Sequence, residues 1–366
     1  MARDWTDLSS GVLAHIAARL TAIDYMAFRK VCRLWARSVS GVPPSPHVPY
    51  LLLLGGGGDD GERGNEFTFL GLPGQTLHRL PVPGLRGKSC VGSQHGWLAT
   101  LDPFSEPALL NPLTGQEIPL PSITTLPDIH PSYAPDGSVA SYFHLSDPTD
   151  YYFQYTPEEF RGRSFVKVAF SSSPAAGGPL TVVALCGTPS KLAFTTAGRT
   201  GGASTATAGA STTSPSAAAA SSLCRAMGIC SPRYLVADDA TGDLLQVWRN
   251  YDFDDVAKTL TTCEIKVMRL DRGTNRWIPI SSLGGRALFL GIGSSMLLSP
   301  EDVRGLRPNC VYLTDDWWDM QFSEEVRLAR RDVGIYCLED ASLQPCHSPD
   351  PRFNWPPPVW ISPSLS

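Results

Sequence analysis

Apolar residues follow two different patterns along this chain. Over the first forty positions they recur at helical spacing. In "DLSSGVLAHIAARL", Leu8, Val12, Leu13, Ile16 and Leu20 line one face, the period of an amphipathic helix. Ser9 or Ser10 suits the N-cap. "TAID", Thr21 to Asp24, has the form of a capping box. It predicts a second helix with Phe28, Val31, Cys32, Trp35 and Val39 on one stripe and Arg29, Lys30, Arg33 and Arg37 on the other. Gly41 and the prolines at 43, 44 and 46 end the helical region. So short a segment cannot readily bury both apolar faces by itself. The faces must pack on the rest of the chain or on another protein, and spacing alone leaves both open.

Beyond residue 44 the chain reads as short strands separated by turns. Residues 89–120 divide into "SCVGS", "WLATLD", "ALLN" and "QEIPL", joined by "QHG", "PFSEP" and "PLTG". The same meander returns as "RYLVA", "DLLQVWR", "CEIKVMRL" and "RWIPI". The closing hairpins are self-similar: Asn111 aligns with Asp271, Thr114 with Thr274 and Pro119 with Pro279, and "FLGLPGQTLHRLP" at 69–81 is a weaker copy. A four-stranded unit repeated about every 40 residues predicts a β-propeller, whose blades bury their faces by stacking around an axis. The Asn/Asp-to-Thr spacing suits a turn in which a side chain bonds nearby backbone, and needs no ligand.

Composition agrees with β structure. Gly (33) and Pro (32) are abundant and charged residues make up only 18%, which favours many turns over long surface helices. A net charge of -5 argues against a general nucleic-acid binder, which needs a basic face. Nine cysteines stand singly, without a CxxC pair, as buried free thiols in a reducing compartment would. "MARDWTDL" lacks an apolar signal core. The longest apolar run, "RALFLGIGSSMLL", falls short of the roughly 20 residues a bilayer span needs. The expectation is an intracellular protein, in cytoplasm or nucleus, without a membrane anchor.

Residues 197–222, "AGRTGGASTATAGASTTSPSAAAASS", are low in complexity and have no apolar anchor, which predicts a disordered insert. Candidate chemistry is sparse. No Walker A loop, HExxH or GxSxG motif occurs, so no catalytic, cofactor-binding or metal-ligating residue is assigned. "GGGG" at 55–58 reads as a flexible loop. Asp238-Asp239, Asp254-Asp255 and Asp315-Asp316 read as solvated turns, and His95 as a turn residue. Trp317 and Trp318, in "DDWWDM", are candidates for a recognition surface because Trp is favoured at binding hot spots. Alternate packing inside a blade is the competing reading.

Two resemblances sharpen this picture. "WTDLSSGVLAHIAARLTAIDYMAFRKVCRLWARSV" resembles an F-box, with Trp5, Asp7, Leu8, Leu13, Ile16, Leu20, Phe28, Val31, Cys32 and Trp35 on pattern positions. Ser9 stands where the family usually has Pro, which would pre-set the first helical turn. The resemblance implies docking onto a Skp-type adaptor, and through it a cullin. It assigns adaptor contact to Leu8, Val12, Leu13, Ile16, Leu20, Val31, Cys32 and Trp35. Downstream, "VGSQHGWLATLD", "RYLVADDATGDLLQVWR", "WIPISSLGGRALFLG", "NCVYLTDD", "VGIYCLED" and "PPPVWISPSL" follow the order of a plant F-box family. Its C-terminal part is known as domain of unknown function 295 and is similar to a kelch-type propeller.

The resulting expectation is a small all-α F-box at 1–44 and an all-β propeller at 45–366. The propeller would have about six four-stranded antiparallel blades, one of them incomplete where 197–222 replaces strands, unless the coding sequence there has diverged or been mis-spliced. The implied function is a non-catalytic ubiquitin-ligase substrate receptor with an unnamed protein target. A propeller enzyme or sugar-binding protein with helices packed on it, and a degenerate member without a competent propeller, are the alternatives.

Overall fold

The computed structural model describes residues 5, 8–44, 48–54, 65–71, 76–126, 128–146, 151–162, 165–178, 180–186, 191–197, 203–206, 233–238, 241–254, 256, 259–293, 295–303, 305–314, 332–345 and 357–365. Three short helices, α1 (Ser10–Ala17), α2 (Ala22–Lys30) and α3 (Arg33–Ser38), precede six β-sheets. Sheet 1 joins the two ends of the propeller: Val359–Ile361 pairs with Tyr50–Leu53, followed by Glu66–Gly71 and Thr76–Pro81. Sheet 2 is the meander Ser89–Gln94, Trp97–Leu101, Pro107–Leu110 and Glu117–Pro119. Sheet 3 has three strands, Ile129–Tyr133, Val139–Ser146 and Tyr151–Tyr155, followed by helix α4 (Pro157–Arg161). Sheet 4 comprises Phe165–Phe170, Leu180–Cys186, Lys191–Ala197 and Ala203–Ala206. Sheet 5 comprises Arg233–Ala237, Leu244–Asp254, Thr259–Asp271 and Arg276–Ile280. In sheet 6 the order is Met296–Leu298, Ala287–Leu290, Cys310–Leu313, Gly334–Cys337 and Leu343–Pro345, with one parallel pairing between the second and third.

Burial is deepest in the middle strands of the sheets. Tyr50–Leu53, Trp97–Leu101, Ala287–Leu290 and Cys310–Leu313 are buried at every residue. Closing strands such as Thr76–Pro81, Glu117–Pro119 and Arg276–Ile280 are largely exposed and carry Pro81, Pro119 and Pro279, as sheet-edge strands tolerate. Neighbouring sheets then share cores. Tyr50 and Phe69 of sheet 1 meet Leu98 and Leu110 of sheet 2. Val91 and Leu101 of sheet 2 meet Val168 and Val182 of sheet 4. Val236 and Val247 of sheet 5 meet Leu288 and Val311 of sheet 6, and Phe289 and Tyr312 of sheet 6 meet Leu51 and Trp360 of sheet 1. Between sheets 4 and 5, Lys167 Nζ sits 5.9 Å from the centroid of the Tyr234 ring. Sheets 2 and 4 touch backbone to side-chain position at Gly92, where any Cβ would collide with the Val168 carbonyl.

Sheet 3 is not one of the links in this circuit, though Phe165 of sheet 4 packs against its core. It closes its own core of Ile123, Ile129, Tyr142 and Phe160. Ser105 Oγ donates to Pro157 O at 3.2 Å and Arg161 Nη1 to Gly87 O at 2.9 Å, and these bonds tether it beside sheet 2. Among the described residues there are six sheets, five of them in this circuit, and the three-stranded one is here and not at 197–222. Sheet 4 keeps its fourth strand, because Ala203–Ala206 of the low-complexity stretch pairs with Phe194–Ala197. An outer strand is held by backbone hydrogen bonds on one side and needs no apolar anchor, so disorder is corrected for 203–206. Residues 198–202 and 207–222 lie outside the described residues.

The turns behave as the repeat predicts. Asn111 Oδ1 accepts from Leu113 N and Thr114 N at 3.0 and 3.1 Å, and Asp271 accepts from Gly273 N and Thr274 Oγ1 at 2.9 and 2.6 Å. Asp238 makes the same turn with Thr241 Oγ1 at 2.5 Å. It is buried, however, and paired with Arg286 Nη1 at 2.6 Å, so it is not a solvated turn residue. Among the described residues no group of three or more His, Cys, Asp or Glu has metal-site geometry, and no helix is long and apolar enough to cross a membrane.

Candidate functional site

The helical segment is built by its caps. Ser9 Oγ accepts from Val12 N at 3.4 Å and opens α1. Thr21 Oγ1 accepts from Asp24 N at 3.1 Å and donates to the Asp24 carboxylate at 2.9 Å, which opens α2. The helix expected through Val39 is instead broken at Val31–Cys32. Cys32 has extended backbone, and its Sγ accepts from Trp35 N at 3.5 Å as the cap of α3. The break has a packing cause. In one continuous helix Val39 would lie about 21 Å from Tyr25 at 1.5 Å per residue. With the turn, Tyr25 Oη donates to Val39 O at 2.7 Å, and the Phe28 and Trp35 rings lie 4.4 Å apart.

This fold sorts the predicted contact residues into two sets. Leu13 is fully buried with Ala17, Tyr25, Phe28 and Val39, and Leu8, Leu20 and Trp35 pack against that cluster. Leu13 is therefore corrected from a partner contact to a core residue, since it has no surface to offer. Cys32 is half-buried and spent on capping. Left outside are Val12, Ile16 and Val31, at 46, 37 and 60% exposure. Two further exposed residues join them: Leu34 at 49% and Trp5 at 66%, whose carbonyl accepts from Trp35 Nε1 at 3.3 Å. Leu34 was hidden from a periodicity argument, because on an unbroken helix it falls between the basic residues. Around this apolar set Arg29, Lys30, Arg33 and Arg37 are all exposed.

The helices are also seated on the propeller. Ala22 and Ile23 of α2 are buried in the core that sheets 1 and 2 share. Tyr50 Oη donates to Thr21 Oγ1 at 2.8 Å, and burial raises the Tyr50 phenol's pKa above its ordinary value, so it stays a donor. Leu365 packs against both this core and the helical one. Its neighbour Ser364 accepts from Asn111 Nδ2 at 3.0 Å. Ser364 lies so close to Gly96 (φ +81) that no side chain fits there. Trp317 and Trp318 lie outside the described residues.

A capped three-helix segment with an outward apolar set, followed by mostly four-stranded antiparallel sheets, defines an F-box and propeller protein. The F-box domain model matches residues 5–45. The KIB1-4 β-propeller model matches residues 69–211 and 203–337, and the chain belongs to that family. No curated protein matches the chain.

Proposed function

We propose that this chain is the substrate-receptor subunit of a Skp/cullin/F-box ubiquitin ligase. The helices would bind the Skp-type adaptor and the propeller would bind the target protein. The reading is supported by an F-box joined to a β-propeller. The observation that carries it is the exposed set Val12, Ile16, Val31 and Leu34 on helices whose own core is already filled. An apolar surface rimmed by Arg29, Lys30, Arg33 and Arg37 suits a partner with an apolar groove and an acidic border. The role is binding, not catalysis; the order of the propeller motifs supports a plant source, and cytoplasm or nucleus is where such a subunit would act.

The test uses the full chain and a purified Skp-type adaptor. Val31→Asp and Ile16→Asp are each expected to weaken binding by about 2 kcal/mol or more, roughly 30-fold in Kd, with the melting temperature of the chain unchanged. Undiminished affinity in both variants would overturn the assignment of this surface. Failure of the unmutated chain to bind, beside an F-box protein that does, would overturn the receptor reading.

A further inference from the structure

In sheet 6, Cys310 lies directly opposite Cys337 on antiparallel strands. The next opposed pair, Asn309 and Leu338, is hydrogen-bonded, since Leu338 N donates to Asn309 O at 3.1 Å. Bonded and non-bonded pairs alternate along such a ladder, so Cys310 and Cys337 form a non-bonded pair with α-carbons about 4.5 Å apart. Cys337 N points the other way, to Ser342 O at 2.9 Å. Both side chains lie in one core cluster, Cys310 buried and Cys337 packed against it. An α-carbon spacing of about 4.4–6.8 Å is the span a disulfide takes.

The two thiols differ in access. Cys310 is 2% exposed, and burial pushes its pKa up to about 11. Cys337 is half-buried, three residues before the exposed turn at Asp340. Arg307 and Glu339 are the charged groups that act on Cys310, one lowering and one raising its pKa.

We infer that Cys310 and Cys337 are a redox-responsive cross-strand pair, a dithiol under reducing conditions that a small-molecule disulfide converts into a staple across sheet 6. The chemistry is ordinary thiol–disulfide exchange. The Cys337 thiolate attacks one sulfur of glutathione disulfide, the S–S bond of that reagent breaks, and one glutathione thiolate leaves. Cys310 then attacks Cys337 Sγ and passes its proton to the second departing glutathione. Two protein thiols are oxidised and one glutathione disulfide is reduced to two thiols. The staple joins the two strands that flank residues 314–333 and restrains the unfolded chain. It acts in the sheet that closes the ring against sheet 1, because Cys310 and Cys337 both belong to the core shared with Leu51 and Trp360.

The test exposes the reduced full chain to glutathione disulfide, then digests it without reduction for mass spectrometry. Cys346 shares a tryptic peptide with Cys337, so the linkage is assigned by fragmentation and by Cys346→Ser. The Cys310–Cys337 link is expected ahead of any other cysteine pair and unaffected by Cys346→Ser. It should bring a rise in melting temperature and be reversed by dithiothreitol. Cys337→Ala is expected to abolish the link and the rise. A glutathione adduct that persists on Cys337 without resolving, a link through Cys346 instead, or an unchanged melting temperature on oxidation would each overturn the proposal. The primary readout is on the unmutated chain, so it does not depend on how a variant folds.

Discussion

In the propeller, a strand from the far end of the chain closes the ring. Val359–Ile361 pairs with Tyr50–Leu53, and Trp360 drops between sheets 1 and 6. The three helices have no such closure. Their core is five buried side chains, completed by Leu365 from the chain's other end, while α2 gives Ala22 and Ile23 away to the propeller core. One region is self-sealing and the other is finished by its neighbour. The cores therefore cross residue 45, and the C-terminal residues act on both sides of that boundary. An F-box held this way is fixed to the propeller, which is consistent with the proposed receptor role.

The largest effect expected is at the closure. Trp360 is 1% exposed, its Nε1 donates to Leu290 O at 3.1 Å, and its ring meets Phe289 edge-on at 5.2 Å. Trp360→Ala removes this packing at a cost of about 3–5 kcal/mol and takes one of two donors from the Leu290 carbonyl, which keeps Thr314 N at 3.0 Å. Denaturant titration is expected to show the loss on the propeller's main transition. A loss below about 1 kcal/mol would mean that the closing strand is not what seals the ring.

Next in size is the seat of the helices. Ile23 is 3% exposed within the propeller core, so Ile23→Ala is expected to cost about 2–5 kcal/mol. That loss should appear in the melting of the propeller itself. Ile16→Ala, on the outer face, is expected to change stability by about 1 kcal/mol at most. Equal effects from the two, or an Ile23→Ala effect confined to the helices, would break the comparison and restore two independent units.

Legibility in the sequence followed the range of the interactions. The meanders at 89–119 and 233–280 were readable because hairpin turns and strand patterns are local, and the Asn111 and Asp271 turns use groups three residues apart. Contacts made across the chain left no local mark. Nothing near Val31 announces a helix break, since its cause is the Tyr25 bond to Val39. Nothing in "TAID" shows that Ile23 belongs to another core. The fourth strand of sheet 4 was missed because backbone pairing does not require the apolar residues that a pattern search counts. At the candidate site the helices were legible, but the division into outward Val12, Ile16 and Val31 and inward Leu13 came from tertiary packing. Arg249 is likewise fully buried. Its Nε donates to Thr262 Oγ1 at 2.9 Å and its Nη1 to Thr314 O at 2.6 Å, an arrangement that a strand pattern gives no reason to expect.

The smallest effects separate two copies of one turn, one beneath the helices and one remote from them. Asn111 is fully buried, and besides its turn bonds its Nδ2 holds Ser364, next to the Leu365 wedge. Asn111→Ala leaves Leu113 N and the Ser364 carbonyl without this partner, at a cost of about 1–3 kcal/mol, and should loosen the helices as well as the turn. Asp271 makes the corresponding turn at the surface. Its carboxyl pKa is held below the usual value by the Thr274 hydroxyl first and the Gly273 N–H second. A carboxyl whose folded pKa is depressed contributes stability above its unfolded pKa of about 3.9 and loses it as pH falls through the folded value. Asp271→Asn is therefore expected to melt slightly below the unmutated chain at pH 7. The gap should narrow as pH drops below about 4, where the unfolded carboxyl takes up its proton first and the native one follows at its lower pKa. Melting curves of both chains between pH 7 and pH 3 check this. A gap that does not move with pH would mean the turn depends on the shape of the side chain and not on its charge, and an Asn111→Ala loss as small as that of Asp271→Asn would show that Ser364 does not carry the attachment of the helices.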